Sequence, residues 1–440
     1  MKTGNVRHLV ALLACAGSLG AMAHQSDPTR RAEAALDAWR MNEVSALLPT
    51  LPDTAAADYV RGVAANRVND IEGSKRYLLR ALPRLEQAHS PLALNTLFAL
   101  ADDYQKSYAY ADQARVLRDV LQDHGAELTP GNVPGVKSVL ALASALAGSP
   151  PQTVTFSGPS QVPIRRNPLG TLDVEAVANG VSGSWMLDSG ANYSVVSESF
   201  ARQLGLSATG AIDGLASSTD ATFQSKVAVV DEIRLGSATL RHVAVLVVPD
   251  EQLMMKLPTA QHQISAAFGF PVFQGLGRIR FIGDKAIAIG SEADAVDDGT
   301  PLFMADLSPA VLLRVEGDML PFILDTGASA TGLTYPYWKR VKARAKDWPH
   351  AQHATAGAGG TRSYDTVRQP EWKVAIGGGG DVVLKNVRVE TVSRAGVGSA
   401  PMFGILGQDL WANAAGFTLD FRSMRFRIDK TTAGSTTALR

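Results

Sequence analysis

LDTGASATG occupies residues 324–332, and LDSGANYSV occupies residues 187–195. Each stretch sets an aspartate behind a strand-like apolar run, GSWML before Asp188 and LPFIL before Asp325, and follows it with a hydroxyl residue, a glycine and an alanine. In a chain of this length a given Asp-Ser/Thr-Gly-Ala string arises by composition with a probability of roughly one or two per cent, so two copies in register point to internal duplication. Other features align with the motif. VDEIRLGSATLRHVAVLVV and EWKVAIGGGGDVVLKNVRVETV each read as two strands joined across a glycine turn. AAFGFPVF and GILGQDLW end apolar pairs at Gly269 and Gly407, which follow Asp188 by 81 residues and Asp325 by 82.

The chain around this duplication has 440 residues, more than one core usually holds, with 46% hydrophobic residues. Its 42 basic and 42 acidic residues cancel, which argues against nucleic acid as a partner and against an anionic membrane. Residues 1–23 read as a secretory signal peptide: Lys2 and Arg7 precede an apolar run, Leu9 to Ala23, that ends in Ala21-Met22-Ala23. The expected location is therefore periplasmic or secreted. The lone cysteine, Cys15, also permits a lipid-anchored alternative; with cleavage after Ala23 the mature protein holds no thiol.

Residues 24–150 read as a helical domain, with apolar residues at three- and four-residue spacing. Gly62, Leu78 and Ala81 overlay on Ala101, Leu117 and Val120 at an offset of 39, so the region resembles divergent tetratricopeptide-type hairpins or is a plain helical bundle. Residues 151–165, rich in Pro, Gly and Ser, read as a linker. A first β lobe is expected over 166–290, an acidic linker over 291–300, a second lobe over 301–430 and a disordered tail over 431–440.

The paired motifs resemble the aspartic peptidases, in particular the retropepsin-like and pepsin-like bacterial branch, over about residues 165–428. The resemblance implies a bilobal, mainly-β acid-protease fold in which Asp188 and Asp325 are the catalytic pair. Ser189, Gly190, Ala191, Thr326, Gly327 and Ala328 would form the supporting loops. Like charges about 3 Å apart cannot both ionise, so such a pair shares one proton, and one carboxylate activates a water while the other polarises the scissile carbonyl. The implied activity is aspartic endopeptidase, with a peptide or protein substrate, no cofactor and no metal. Because one polypeptide carries both half-sites, a monomer is expected. A non-catalytic peptide-binding module, with helical repeats that recruit a protein partner, is the alternative.

Asn192 stands where the second copy has Ser329, and AAFGFPVF lacks the Gly-Asp features of GILGQDLW, so the first lobe is the more diverged. Alanine after each motif glycine removes one hydroxyl bond to the carboxylate and predicts activity at mildly acidic to neutral pH. Cleft-covering hairpins are sought at 214–223 and 355–366, with Phe223 and Tyr364 as candidate substrate contacts. His350 and His353 lack a third metal ligand, and VAIGGGGDVV lacks the Lys-Ser/Thr of a phosphate loop. KRVKARAK at 339–346 reads as a basic helix face, and no Gly-x-Ser-x-Gly or His-Glu-x-x-His occurs.

Overall fold

A computed structural model describes residues 27–216, 222–256, 261–291, 295–357, 360–376, 380–393 and 402–429. The expected signal peptide and C-terminal tail lie outside the described residues. Among the described residues seven α-helices come first: α1 (Pro28–Asp37), α2 (Met41–Leu47), α3 (Ala55–Arg67), α4 (Ile71–Gln87), α5 (Leu92–Lys106), α6 (Tyr110–Asp123) and α7 (Val133–Leu146). Asp27, Thr54 and Asp70 cap α1, α3 and α4 by accepting from backbone N–H groups of the first turn. Four of these helices stop without glycine. Trp39, Asn69, His89 and Tyr108 take positive φ, and the next N–H in each case reaches back to the carbonyl five residues earlier.

Helices α3 and α4 pack as a hairpin around Gly62, where a Cβ would lie 2.5 Å from Leu78. Helices α5 and α6 share an apolar cluster built on Leu97, Leu100, Leu117 and Val120, so the positions paired at the offset of 39 do fall on successive helical hairpins. Among the described residues no helix is long and apolar enough to cross a membrane.

The remainder is β and duplicated. In the first half, strand Val181–Leu187 pairs in parallel with Ala266–Phe268, which pairs antiparallel with Ser194–Ser197, itself parallel to Ala238–Val248. In the second half Asp318–Leu324, Gly404–Leu406, Gly332–Leu333 and Gly380–Glu390 repeat the same sequence of pairings. The long hairpins expected in each half are present, Thr222–Leu235 with Ala238–Val248 and Gly360–Ile376 with Gly380–Glu390.

A six-stranded antiparallel sheet joins the halves. Its order is Ser160–Arg166, Ala286–Ile289, Arg278–Ile282, Gly416–Asp420, Arg425–Asp429 and the start of Thr300–Ala305, three strands from each half. Phe281 stacks on Phe417 at the central seam with ring centroids 4.2 Å apart, and the buried Arg278–Asp420 ion pair spans the same seam at 2.7 Å. Burial works against the Asp420 charge, but the Arg278 guanidinium and the Ser423 N–H hold its carboxyl below the usual range.

Two boundaries differ from expectation. Residues 151–165 are mostly strand: Thr153–Phe156 pairs with the edge of Ala238–Val248, and Ser160–Arg166 is an edge of the joining sheet. Edge strands tolerate proline, and Pro163 occupies such an edge, so composition alone misleads here. The basic run at 339–346 is helical only over residues 339–341, because helix Tyr335–Val341 ends inside it; Arg340 and Arg344 pair with Asp318 and Glu316.

The helices contact both lobes. Leu36, Trp39, Met41 and Val60 share a cluster with Phe303, Ala310 and Leu312 of the second lobe. Tyr110, Leu142 and Leu146 share another with Tyr193, Ile212, Phe223 and Val227 of the first.

Asp103, fully buried in α5, accepts from Asn66 at 2.8 Å and from Ser74 at 2.6 Å. Burial raises its carboxyl to about 7 against those bonds and the nearby Lys106 charge, while Asp102 raises it further. A raised folded value means that this carboxyl's stabilising contribution is fully present below about pH 4 and is lost as pH rises through about 7. Asp103→Asn keeps an acceptor for Asn66 and offers a donor to Ser74. Thermal unfolding should show wild type losing stability between about pH 4 and about pH 7, and the variant losing less; superimposable pH dependences would contradict this.

Candidate active site

The pairing described above delivers each aspartate to the same place in its lobe. The Asp188 N–H donates to the Phe268 carbonyl at 3.0 Å, and the Asp325 N–H donates to the Leu406 carbonyl at 3.0 Å. Tight turns follow, closed by Ala191 N–H to the Asp188 carbonyl at 3.3 Å and Ala328 N–H to the Asp325 carbonyl at 3.2 Å.

The neighbouring hydroxyls then cross between lobes. The Ser189 N–H donates to Thr326 Oγ1 at 2.9 Å, and the Thr326 N–H donates to Ser189 Oγ at 3.1 Å. Ser189 Oγ donates to the Leu324 carbonyl at 3.2 Å, and Thr326 Oγ1 donates to the Leu187 carbonyl at 2.8 Å. Both side chains are buried, so each of the four bonds satisfies a group that water does not reach.

This reciprocal bonding brings the carboxylates face to face. A Cβ on Gly190 would stand 2.5 Å from Asp325 Cγ, and one on Gly327 would stand 2.4 Å from Asp188 Cγ. Only glycine permits that approach. Asp188 Oδ1 accepts from the N–H groups of Gly190 and Ala191, both at 3.1 Å, and Asp325 Oδ1 accepts from the Gly327 N–H at 2.8 Å.

Burial pushes both carboxyls up. For Asp188 the Asp325 charge and a hydrogen bond with Asp325 add to the effect, while the N–H groups of Gly190 and Ala191 oppose it. For Asp325 the bonds from Gly327, Asp188, Ala328 and Gly190 oppose it without cancelling it. The two groups interact so closely that their protons belong to the pair.

Beneath the loops the lobes are tied alike at one point and differently at another. Ser194 and Thr331, each six residues after its aspartate, accept from the N–H groups of Gly269 and Gly407, both at 3.1 Å. In the second lobe Asp409 accepts from the Thr331 N–H at 2.8 Å and from its hydroxyl at 2.6 Å, and Gln408 Nε2 donates to the Thr326 carbonyl at 2.7 Å. Phe270 and Pro271 occupy the corresponding places in the first lobe. There the Pro271 carbonyl accepts from Tyr108 Oη at 3.0 Å and Gln152 Nε2 at 2.9 Å, so residues outside the lobe supply the tie. Sequence reading missed these partners, although the equal offsets of Ser194 and Thr331 were available.

The hairpin candidates fare differently from the aspartates. Phe223 is buried with Leu142, Leu146 and Tyr110, so it faces the helices and the expectation that it meets substrate is corrected. Tyr364 is buried in its strand opposite His353. Residues 217–221 and 358–359, at the tips, lie outside the described residues. Burial lowers His353 to about 4, helped by the Arg388 and Arg368 charges, which keeps its ring neutral at ordinary pH. Among the described residues no group of three His, Cys, Asp or Glu side chains is arranged to hold a metal.

Thr326→Ala leaves the buried Ser189 N–H without an acceptor and should cost roughly 1–3 kcal/mol, with Thr326→Ser restoring most of it. Chemical denaturation of the three proteins checks this; an unchanged midpoint in Thr326→Ala would contradict it.

A family model described as aspartyl protease matches residues 174–264 and, separately, residues 311–410. Each match contains one of the two aspartates. No curated protein matches the chain. Among solved structures, the crystal structure of basic 7S globulin from soybean aligns at 11% identity and a TM-score of 0.39, covering 62% of this chain and 95% of that one. The chain is thus similar to aspartyl proteases in both lobes, around both acids.

Proposed function

We propose that the chain is an aspartic endopeptidase in which Asp188 and Asp325 share a proton and activate a water for direct attack on a peptide carbonyl. The observation that carries this reading is the placement of each carboxylate against the opposite lobe's motif glycine. The family similarity of both lobes supports it.

The chemistry follows from the geometry. Burial and mutual repulsion disfavour the doubly ionised pair, so one proton is retained where two isolated carboxylates would have lost both. The ionised member takes a proton from the water. The protonated member donates to the carbonyl oxygen as the tetrahedral intermediate forms. Collapse of that intermediate returns a proton to the leaving amine and regenerates the singly protonated pair. The N–H groups of Gly190, Ala191 and Gly327 fix the carboxylate planes throughout. One polypeptide holds both half-sites, so a monomer is the active species, and the N-terminal segment read as a signal peptide directs this activity outside the cytoplasm.

Activity requires one proton on the pair. It is lost on the alkaline side as that proton leaves, and raised carboxyls move this limb upward. Cleavage of a diverse peptide pool should therefore extend to about neutral pH; a sharp optimum below about pH 3 would contradict the reading.

Asp188→Asn and Asp325→Asn should each lower kcat by about a thousandfold or more while leaving the fold intact. Equal cleavage by all three proteins removes the pair from the chemistry. No cleavage by wild type favours a peptide-binding module.

A further inference from the structure

The two lobes repeat each other in their catalytic loops but not in the hairpins beside them. In the second lobe, His350–Gly357 pairs with Gly360–Ile376 through eight consecutive register partners. In the first lobe, Thr209–Ala216 pairs with Thr222–Leu235 through a register that shifts twice, between Thr209 and Ile212 and between Ile212 and Leu215. Gly210 and Gly214, both with positive φ, sit at these shifts, where bulges bend the strand.

Helix α7 runs along this bend. A Cβ on Gly210 would lie 3.6 Å from Ala145 Cβ, and one on Gly214 would lie 3.2 Å from Ser138 Oγ. Ser138 Oγ is 2.6 Å from the Asp213 carbonyl, nearer than the 3.0 Å to the Pro134 carbonyl of its own helix, so its proton is directed to the strand. The bend turns Ile212 into the cluster of Leu142, Leu146, Tyr110 and Phe223. Tyr193, five residues after Asp188, completes that cluster. Of residues 350–353 and 363–376, whose side chains are described, none belongs to a cluster with helices α1–α7.

We propose that Ser138, Leu142 and Leu146 of α7 are positioning residues for the peptidase site: they hold the first lobe's bent hairpin and the Tyr193 end of the Asp188 loop as one fixed wall beside the reacting acids. Among the described side chains of the second lobe's hairpin, none shares a cluster with α7. This inference rests on the endopeptidase reading, which it deepens. The helical region is then part of the working site, and its contact with the hairpin sets how well a peptide is held. Such an interaction is made equally in the bound and reacting states, so weakening it raises KM and spares kcat.

Hydrogen exchange and steady-state kinetics of the full chain test this together, with the peptide that wild type cleaves fastest as substrate. In wild type, amides of 209–216 should exchange at least about tenfold more slowly than those of 350–357. Leu142→Ala should speed the first set by about tenfold, leave the second unchanged, and raise KM several-fold with kcat within about twofold. Ser138→Ala, which improves helix propensity, should act in the same direction more weakly and serves if Leu142→Ala does not fold. Equal exchange of the two hairpins in wild type, or faster exchange in a variant without a rise in KM, would overturn the proposal. Should wild type cleave no peptide, the endopeptidase reading falls, and the exchange comparison alone decides whether α7 anchors the hairpin.

Discussion

Two buried hydroxyl groups, Ser189 and Thr326, each accept a backbone N–H from the opposite loop and donate to a carbonyl of the opposite strand. This constraint makes one site out of two lobes. Without it the carboxylates of Asp188 and Asp325 would repel one another into solvent. With it they stay close enough that each motif glycine lies against the other lobe's acid. The repulsion is then a resource, because it keeps a proton on the pair. The six-stranded sheet serves the same end from a distance: by fusing three strands of each half across the Phe281–Phe417 stack, it fixes the relation of the two lobes.

Duplication does not make the lobes equal. In the second, Gln408 and Asp409 brace the Asp325 loop from within. In the first, the corresponding turn offers its Pro271 carbonyl to Tyr108 and Gln152, and its hairpin bends to meet α7. Where the second lobe has polar ties internal to itself, the first is tied to Tyr108 of the helical region and to Gln152. The helical region contacts both lobes through separate apolar clusters.

What the sequence made legible follows range. The motif pair, the equal spacing to Gly269 and Gly407, and the long hairpins are local or repeated patterns, and each is present in the fold. The strands within 151–166 were hidden because their partners, Arg241 and Ile287 among them, lie far along the chain and composition does not name a partner. Phe223 was misread for the same reason. Glycine-rich neighbours suggest exposure, while Leu142, which shares its cluster, lies 81 residues earlier. The helix ends were obscured because left-handed Trp39, Asn69, His89 and Tyr108 stand where glycine would have announced a stop.

The central claim is that Asp188 and Asp325 act as one singly protonated unit towards a peptide. The most direct measurement is calorimetric binding of a peptide whose scissile carbonyl is replaced by a tetrahedral secondary alcohol, followed against pH in wild type and in both Asp→Asn variants. The account predicts tight binding to wild type that weakens as the pair loses its last proton, and a large, similar loss of affinity in each variant. Equal, pH-independent affinity in all three proteins would contradict it.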